Sequence, residues 1–379
     1  MRIALDARQM TSRTSGIGSH SLNLVRALLE EDKDIELLLV CNTTRKQQRL
    51  QNPRVEEVFF PFPHTSPLTQ LPLGAFLRRQ TFDVFHIPFV AVAPRGLHRP
   101  LVATVHDLDW AINPRYASHN PFFRLIGGAY YRVALASTMR EANRILAVSH
   151  ATRHALLEYA PWYEAKSRVT YNGIDRSRIY PLEKEAAYRL LAPLIAPGTP
   201  FVFTVGQGRP YKNHLNAVRG FLQAFGDRRE YRMILVRRSL GGELGQDRAL
   251  QALLQSPQAQ AQVLTLPYVT PEVLNALYNA ARIVLHPSYY EGFGLPLIEA
   301  MAVGTPLITS SVSAMPEVAG RAALLVPPAD YRAIAEALVT LDQDETVRQR
   351  LIAEGHRQIE RFSWSTCAQA TLAVYRELL

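Results

Sequence analysis

The chain has 379 residues, 47% hydrophobic, 20% charged and 9% aromatic, which excludes global disorder and a single small binding module and makes two domains the default expectation. Forty-two Lys and Arg against 33 Asp and Glu give a formal charge of +9, favouring an anionic partner: nucleic acid, an anionic lipid surface or a phosphorylated substrate. No run approaches the roughly 18 apolar residues of a membrane-spanning helix, and Asp6 interrupts the start before a signal-peptide core develops, so a soluble, cytoplasmic chain is expected.

Cys41 and Cys367 belong to no CxxC pair, so neither a disulfide framework nor a cysteine-rich zinc site is available. Strand-like runs at 2–5, 35–40, 84–87, 101–105 and 145–148 alternate with helical patterns, the first carried by Leu22, Val25, Leu28 and Leu29. That grammar predicts a doubly wound parallel sheet. The stretch 42–52, with Arg45, Lys46 and Arg49, and the proline-rich stretch 60–72 read as exposed loops. From 121 to 151, apolar and aromatic residues mix with Arg124, Arg132, Arg140 and Arg144 against one acid, Glu141. Both a core-packed helix with a solvated arginine edge and a helix lying on an anionic bilayer fit that composition.

The connector 192–200, with three prolines and one glycine, is the best linker candidate. Beyond it the pattern restarts, with strands expected at 201–205, 233–236, 263–266, 283–285, 306–309 and 323–326. The fold class is therefore α/β, with two Rossmann-like domains, 1–191 and 199–362. Facing each other, they would bind a ligand in the cleft at the carboxyl ends of their strands.

The most informative stretch is HPSYYEGFGLPLIEAMAVGTP, residues 286–306. Gly292 and Gly294 make a loop that can approach a ligand closely, Pro296 suits a first helical turn, and Gly304 with Pro306 ends the helix. A glycine loop feeding a helix N-terminus offers unpaired N–H groups to an anion. Glu291 and Glu299, with seven residues between them, would repel a phosphate, so they suit the hydroxyl-rich groups on either side of one. A sugar nucleotide has that form. In 201–225, a strand runs into a loop with Arg209 and Lys212, cations able to neutralise a diphosphate leaving group.

These segments resemble glycosyltransferase family four, the retaining GT-B glycosyltransferases. The resemblance is carried by VGQGRPYKN, PSYYEGFGLPLIEAMAVGTPL and SAMPEV, and also by TVHDL at 104–108, AVS at 147–149, YNGID at 171–175 and SGIG at 15–18. FSW at 362–364 resembles the start of the family's terminal helix, so 363–379 is expected to cross back to the first domain. The resemblance implies that Arg209 and Lys212 hold the donor diphosphate, that Glu291 contacts the transferred sugar beside the amides of Gly292, Phe293, Gly294 and Leu295, and that Glu299 holds the ribose. It further implies that His106 lies at the donor sugar and that Gly16 and Gly18 close on the phosphates. The family's arginine next to the lysine is replaced here by Tyr211, which leaves Arg209 and Arg237 as alternative phosphate ligands.

The activity implied is metal-independent transfer of a hexose, with GDP-mannose favoured over a UDP-sugar, to a saccharide or polyprenyl-diphosphate-linked acceptor in polysaccharide biosynthesis. The nucleotide sugar is a substrate, no cofactor is expected, and peripheral contact with the inner face of an anionic membrane is. Asp107 and Asp109 have Asp-x-Asp spacing without a phosphate-facing context, so no metal site is assigned to them. The alternatives are a sugar-nucleotide epimerase of similar fold and a non-catalytic basic surface-binding protein. A dehydrogenase would show GxGxxG directly after its first strand, where Gly16 and Gly18 come too late. No helix-turn-helix or ribonucleoprotein motif supports nucleic acid.

Overall fold

Runs such as LVATV and IVLH are apolar on both faces because parallel sheets in α/β proteins are covered by helices on both sides. Every residue of Leu101–Val105 and Ile283–His286 is buried. The structure is a computed structural model describing residues 1–10, 16–42, 50–64, 70–90, 92–118, 120–238 and 247–379. Two units result, one of 1–112, 125–173 and 363–379, the other of 113–124 and 174–362.

The first unit carries β1 (Arg2–Asp6), β2 (Glu36–Cys41), β3 (Val55–Phe59), β4 (Val84–Ile87), β5 (Leu101–Val105), β6 (Arg144–Ala147) and β7 (Ser167–Val169). Its seven-stranded parallel sheet has the order β3-β2-β1-β4-β5-β6-β7. One face packs on the Gly16–Glu31 helix and the closing Trp364–Arg376 helix, burying Leu24, Leu28, Leu372 and Tyr375. Tyr375 is fully buried, and its hydroxyl meets His86 Nδ1 at 2.6 Å. His86 Nε2 in turn meets Thr104 Oγ1 at 2.8 Å, so this interior imidazole is fully satisfied.

The second unit carries β8 (Phe201–Gln207), β9 (Arg232–Arg238), β10 (Val263–Leu266), β11 (Ile283–His286), β12 (Leu307–Ser310) and β13 (Ala323–Val326), in the order β10-β9-β8-β11-β12-β13. The direction of winding reverses between β8 and β11, and ligands of such sheets bind outside the strand ends at that point. Phe221, Phe225, Leu285 and Leu338 fill the core beneath.

Three sequence expectations change. The division falls at Gly173 rather than near 191, because Asn275 and Asn279 of the Pro271–Ala280 helix accept from the Tyr180 and Leu182 amides at 3.1 and 2.7 Å and draw 174–191 into the second unit. Residues 113–124 also group there. Edge strands β3 and β7 are additional to the expected set. Part of the expected loops 42–52 and 60–72, with Arg45, Lys46 and Arg49, lies outside the described residues, as does Ser15.

Candidate functional site

Two loops in the second unit leave neighbouring strand ends. β8 ends with Gly206 and Gln207, and the chain turns at Gly208 into a short 3-10 turn, Pro210–Lys212, and then the His214–Phe225 helix. A Cβ on Gly206 would approach the Lys212 side chain to 3.1 Å, so the missing side chain is what lets the lysine stem lie along the strand end. After β11 the chain runs through 287–294, and Gly294, at φ +93°, starts the Leu295–Ala302 helix. Neither helix N-terminus is closed by a side-chain cap, so both present first-turn N–H groups beside the strand ends. The Tyr289 amide donates to the Tyr211 carbonyl at 2.7 Å, stitching the two loops together.

Lys212 and Glu291 meet at this stitch. The ammonium donates to Glu291 Oε1 at 2.6 Å, and both side chains are 11% exposed. Ser288 Oγ donates to the same oxygen at 2.7 Å and His286 Nε2 lies 2.9 Å from it. Burial alone would raise this carboxyl, but the Lys212 charge and the His286 hydrogen bond outweigh it and hold the acid down to about 2. His286 is pushed below its ordinary value by burial, against the opposing pull of Glu291, and is neutral at physiological pH. Oε2 of Glu291 accepts from none of the described residues.

Glu299 is on the Leu295–Ala302 helix, half-buried, and its Oε2 accepts from the Tyr278 hydroxyl at 2.5 Å. Burial raises its carboxyl while the Tyr278 hydrogen bond pulls the other way. Gly292, Phe293 and Gly294 are buried in the loop between the two glutamates, and Leu295 begins the helix. Arg209 sits three residues before Lys212, but its guanidinium donates to the Ala117 carbonyl at 2.8 Å instead of joining the Glu291 cluster. Arg237 is 3% exposed at the end of β9, paired with Asp247 at 3.6 Å and packed against Gly208.

In the first unit, His106 follows β5 directly. Its Nε2 donates to the Pro88 carbonyl at 2.9 Å, which fixes the proton on Nε2 and leaves Nδ1 as an acceptor. Burial lowers it to about 4, so it stays neutral. Gly16 and Gly18 occupy the first turn of the Gly16–Glu31 helix. A Cβ on exposed Gly16 would meet nothing within 4 Å, so packing does not demand a glycine there. Two helical residues later in that helix, buried His20 sets its ring edge-on to His106, with centroids 4.6 Å apart.

Residues 14–178 match the family described as Glycosyltransferase Family 4, and 192–358 match Glycosyl transferases group 1. The O-antigen chain mannosyltransferase B of Escherichia coli is 29% identical over 406 residues, covering 100% of both chains. The MMP alpha-(1->4)-mannosyltransferase of Mycolicibacterium hassiacum is 30% identical over 338 residues, covering 84% of this chain and 76% of its own. The chain belongs to glycosyltransferase family four. Its fold is GT-B, two parallel-sheet α/β domains: Anabaena HepE in complex with UDP-glucose superposes with TM-score 0.79 at 20% identity, over 100% of this chain and 99% of that one.

In this glycosyltransferase the expected pair Lys212 and Glu291 is brought together, and Glu299 lies close enough to feel the lysine charge. Tyr278, His286, Ser288 and His20 escaped the sequence reading. Only His286 and Ser288 had a signal, since they flank Pro287 where a strand ends before the glycine loop. Tyr278 and His20 lie inside helices with no local mark of their role. No group of three or more His, Cys, Asp or Glu side chains suited to a metal ion occurs among the described residues.

Proposed function

We propose that this glycosyltransferase transfers mannose from GDP-mannose, with retention of configuration and without a metal ion, to a saccharide or polyprenyl-diphosphate-linked acceptor at the cytoplasmic face of the membrane. The observation that carries the reading is the Lys212–Glu291 pair at the reversal point of the second sheet, flanked by two uncapped helix N-termini. An ammonium has three donors, and among the described residues Lys212 uses one, on Glu291. The other two can take oxygens of a diphosphate, stabilising it as it departs. Glu291 Oε2 then accepts from a sugar hydroxyl, and Glu299 Oε1 from the ribose. Leaving-group stabilisation without a protein nucleophile suits attack on the face from which the diphosphate leaves, its oxygen taking the acceptor's proton.

Mannose is supported by the two mannosyltransferase relatives. A UDP-sugar donor is the second reading, supported by the UDP-glucose complex of the neighbour. Release of GDP or UDP from a panel of nucleotide sugars, with chelator present, tests both. GDP release from GDP-mannose alone is the expected result; release only from UDP-sugars, or only with added divalent ion, would overturn the donor or the metal-free part. An α-anomeric product by NMR is expected, and a β-product would refute retention.

A further inference from the structure

Glu299 is a carboxylate without a cation. Lys212 neutralises Glu291, but Glu299, half-buried on the Leu295–Ala302 helix, forms no ion pair with a described residue. Its hydrogen-bond partner among them is a neutral group, the Tyr278 hydroxyl, which donates to Oε2 at 2.5 Å. Oε1 accepts from none of the described residues. Burial of a carboxylate with so little compensation is costly. The other charges that reach it act through space: Arg178 and Lys212 pull the carboxyl down and Asp175 pushes it up.

Tyr278 is held rigidly. It is fully buried in the Pro271–Ala280 helix, with its ring edge-on to Phe203 of β8, centroids 5.0 Å apart. Its carbonyl accepts from Thr305 Oγ1 at 2.7 Å, just past the end of the helix that carries Glu299. A phenylalanine would make the same edge contact, so packing does not ask for the hydroxyl. Glutamate is long and loses much rotamer freedom when ordered, and a phenol fixed at one carboxylate oxygen orders the other before a ligand arrives. Glu299 follows Leu295 by one helical turn, about 6 Å along the axis. A nucleotide whose phosphates sit on the first-turn amides of that helix therefore carries its ribose past this carboxylate.

We propose that Tyr278 is a positioning residue for the nucleotide's sugar: by holding Oε2 of Glu299 it aims Oε1 at the ribose hydroxyls and makes the enzyme select ribonucleotides over deoxyribonucleotides. The inference rests on the reading of Glu299 as the ribose ligand and goes beyond it, since it gives the selectivity to a side chain that touches no substrate. A neutral donor suits this role better than a cation. A bidentate arginine would occupy both oxygens, whereas one hydroxyl leaves the negative charge to the ribose. With a deoxy analogue in place, Oε1 is covered and unpaired, the arrangement that rejects a ligand lacking a hydroxyl most strongly.

The test is calorimetric titration of GDP and of UDP, each beside its dideoxy form, which lacks both ribose hydroxyls. Whichever base binds, the wild-type chain is expected to prefer the ribonucleotide about a hundredfold. Tyr278→Phe should weaken that ribonucleotide about tenfold and leave the dideoxy form within about twofold of wild type. Glu299→Gln should also reduce the preference, and adding Tyr278→Phe to it should change neither nucleotide further. In Tyr278→Phe the bond that opposes burial is gone and the carboxyl rises, so the remaining preference should fall as pH drops from about 8 to 6. Phosphate titration is common to both forms and cancels in the ratio. Tyr278→Met also lacks the hydroxyl and should repeat the lost preference, whereas Phe203→Leu removes the ring contact, keeps the hydroxyl and should retain it, so the outcome does not depend on one variant's folding. Equal loss of both nucleotides in Tyr278→Phe makes the residue a packing element and overturns the proposal. A preference that survives Tyr278→Phe but not Glu299→Gln also overturns it and leaves the ribose assignment standing. A wild type that binds both forms alike overturns the ribose assignment and the proposal together, and binding of no nucleotide sinks the transferase reading with them.

Discussion

Lys212→Met removes one charge and leaves the rest of the cluster in place, so its effects can be worked from the geometry. Glu291 is held at about 2 against an ordinary 4.5, which corresponds to about 3 kcal/mol of preference for the carboxylate form. The Lys212 charge is the largest influence opposing burial. Without it, Ser288 and His286 still bond Oε1, so the variant should lose about 1–3 kcal/mol of stability near neutral pH, less than the about 3–5 kcal/mol of a fully orphaned buried charge. The sign with pH is fixed. In the wild type the folded carboxyl lies below its unfolded value, so its contribution is complete above pH 4.5 and is lost as pH falls toward 2. In the variant burial dominates and raises the carboxyl, so protonation restores stability and the deficit should shrink as pH falls from about 7 toward 4.5. Turnover should drop about 10²–10³-fold, the cost of losing one preorganised donor at a developing charge. The assay is nucleotide release from GDP-mannose well below the melting transition, beside thermal unfolding at both pH values. Adding Glu291→Gln to the variant should recover stability without recovering turnover. Turnover within tenfold of wild type, or a deficit independent of pH, would refute the assignment of Lys212 to the diphosphate.

Glu299→Gln should raise the donor KM about tenfold with kcat little changed, because the proposed ribose contact would persist through the reaction; equal losses in kcat and kcat/KM would place it at the reacting centre instead. His106→Gln should lower kcat and also flatten the pH dependence of the melting temperature: a folded value of about 4 against 6.5 means His106 supports stability above pH 6.5 and that support is lost between 6.5 and 4. Arg209→Ala should weaken donor binding and cost only about 1 kcal/mol of stability for the lost bond to the Ala117 carbonyl, whereas Arg237→Ala should cost about 3 kcal/mol because it removes the buried guanidinium that pairs with Asp247. If Arg237→Ala is stable and catalytically dead, the phosphate ligand is Arg237 and not Arg209.

What could be read from the chain follows from where its signals are local. Strands buried on both faces, such as β5 and β11, read as unbroken apolar runs. Strand β3 lies at a sheet edge, with Glu56 and Glu57 exposed in VEEVF, and β7 is an edge strand of three residues, so neither shows such a run. The fold division was hidden for a related reason. What carries 174–191 into the second unit is a pair of asparagine side chains almost a hundred residues downstream, and no composition shift marks them. The helix 121–141 shows another case, since its composition fitted both a core-packed and a surface-lying helix, and in the fold it buries Leu135 and Met139 on one side while exposing Leu125 and Val133 on another.

The site was legible for the same reason the strands were. Gly206, Lys212, Glu291 and Gly294 each sit within a few residues of a strand end, so the loop pattern names them. Which atom meets which depends instead on β8 and β11 being neighbours, a pairing that crosses about eighty residues. That adjacency converges Lys212, His286 and Ser288 on a single oxygen of Glu291. The convergence has a chemical consequence. A carboxylate bonded through both oxygens would be a structural anchor, whereas one bonded through Oε1 keeps Oε2 for a hydroxyl while its charge stays fixed by the lysine. An arriving diphosphate therefore need not break the Lys212–Glu291 bond to bind, because the ammonium has two further donors. Under the proposed assignment, sugar and phosphate contacts would both be made by one preformed pair, so the reorganisation that otherwise raises the barrier would already be complete before the donor arrives.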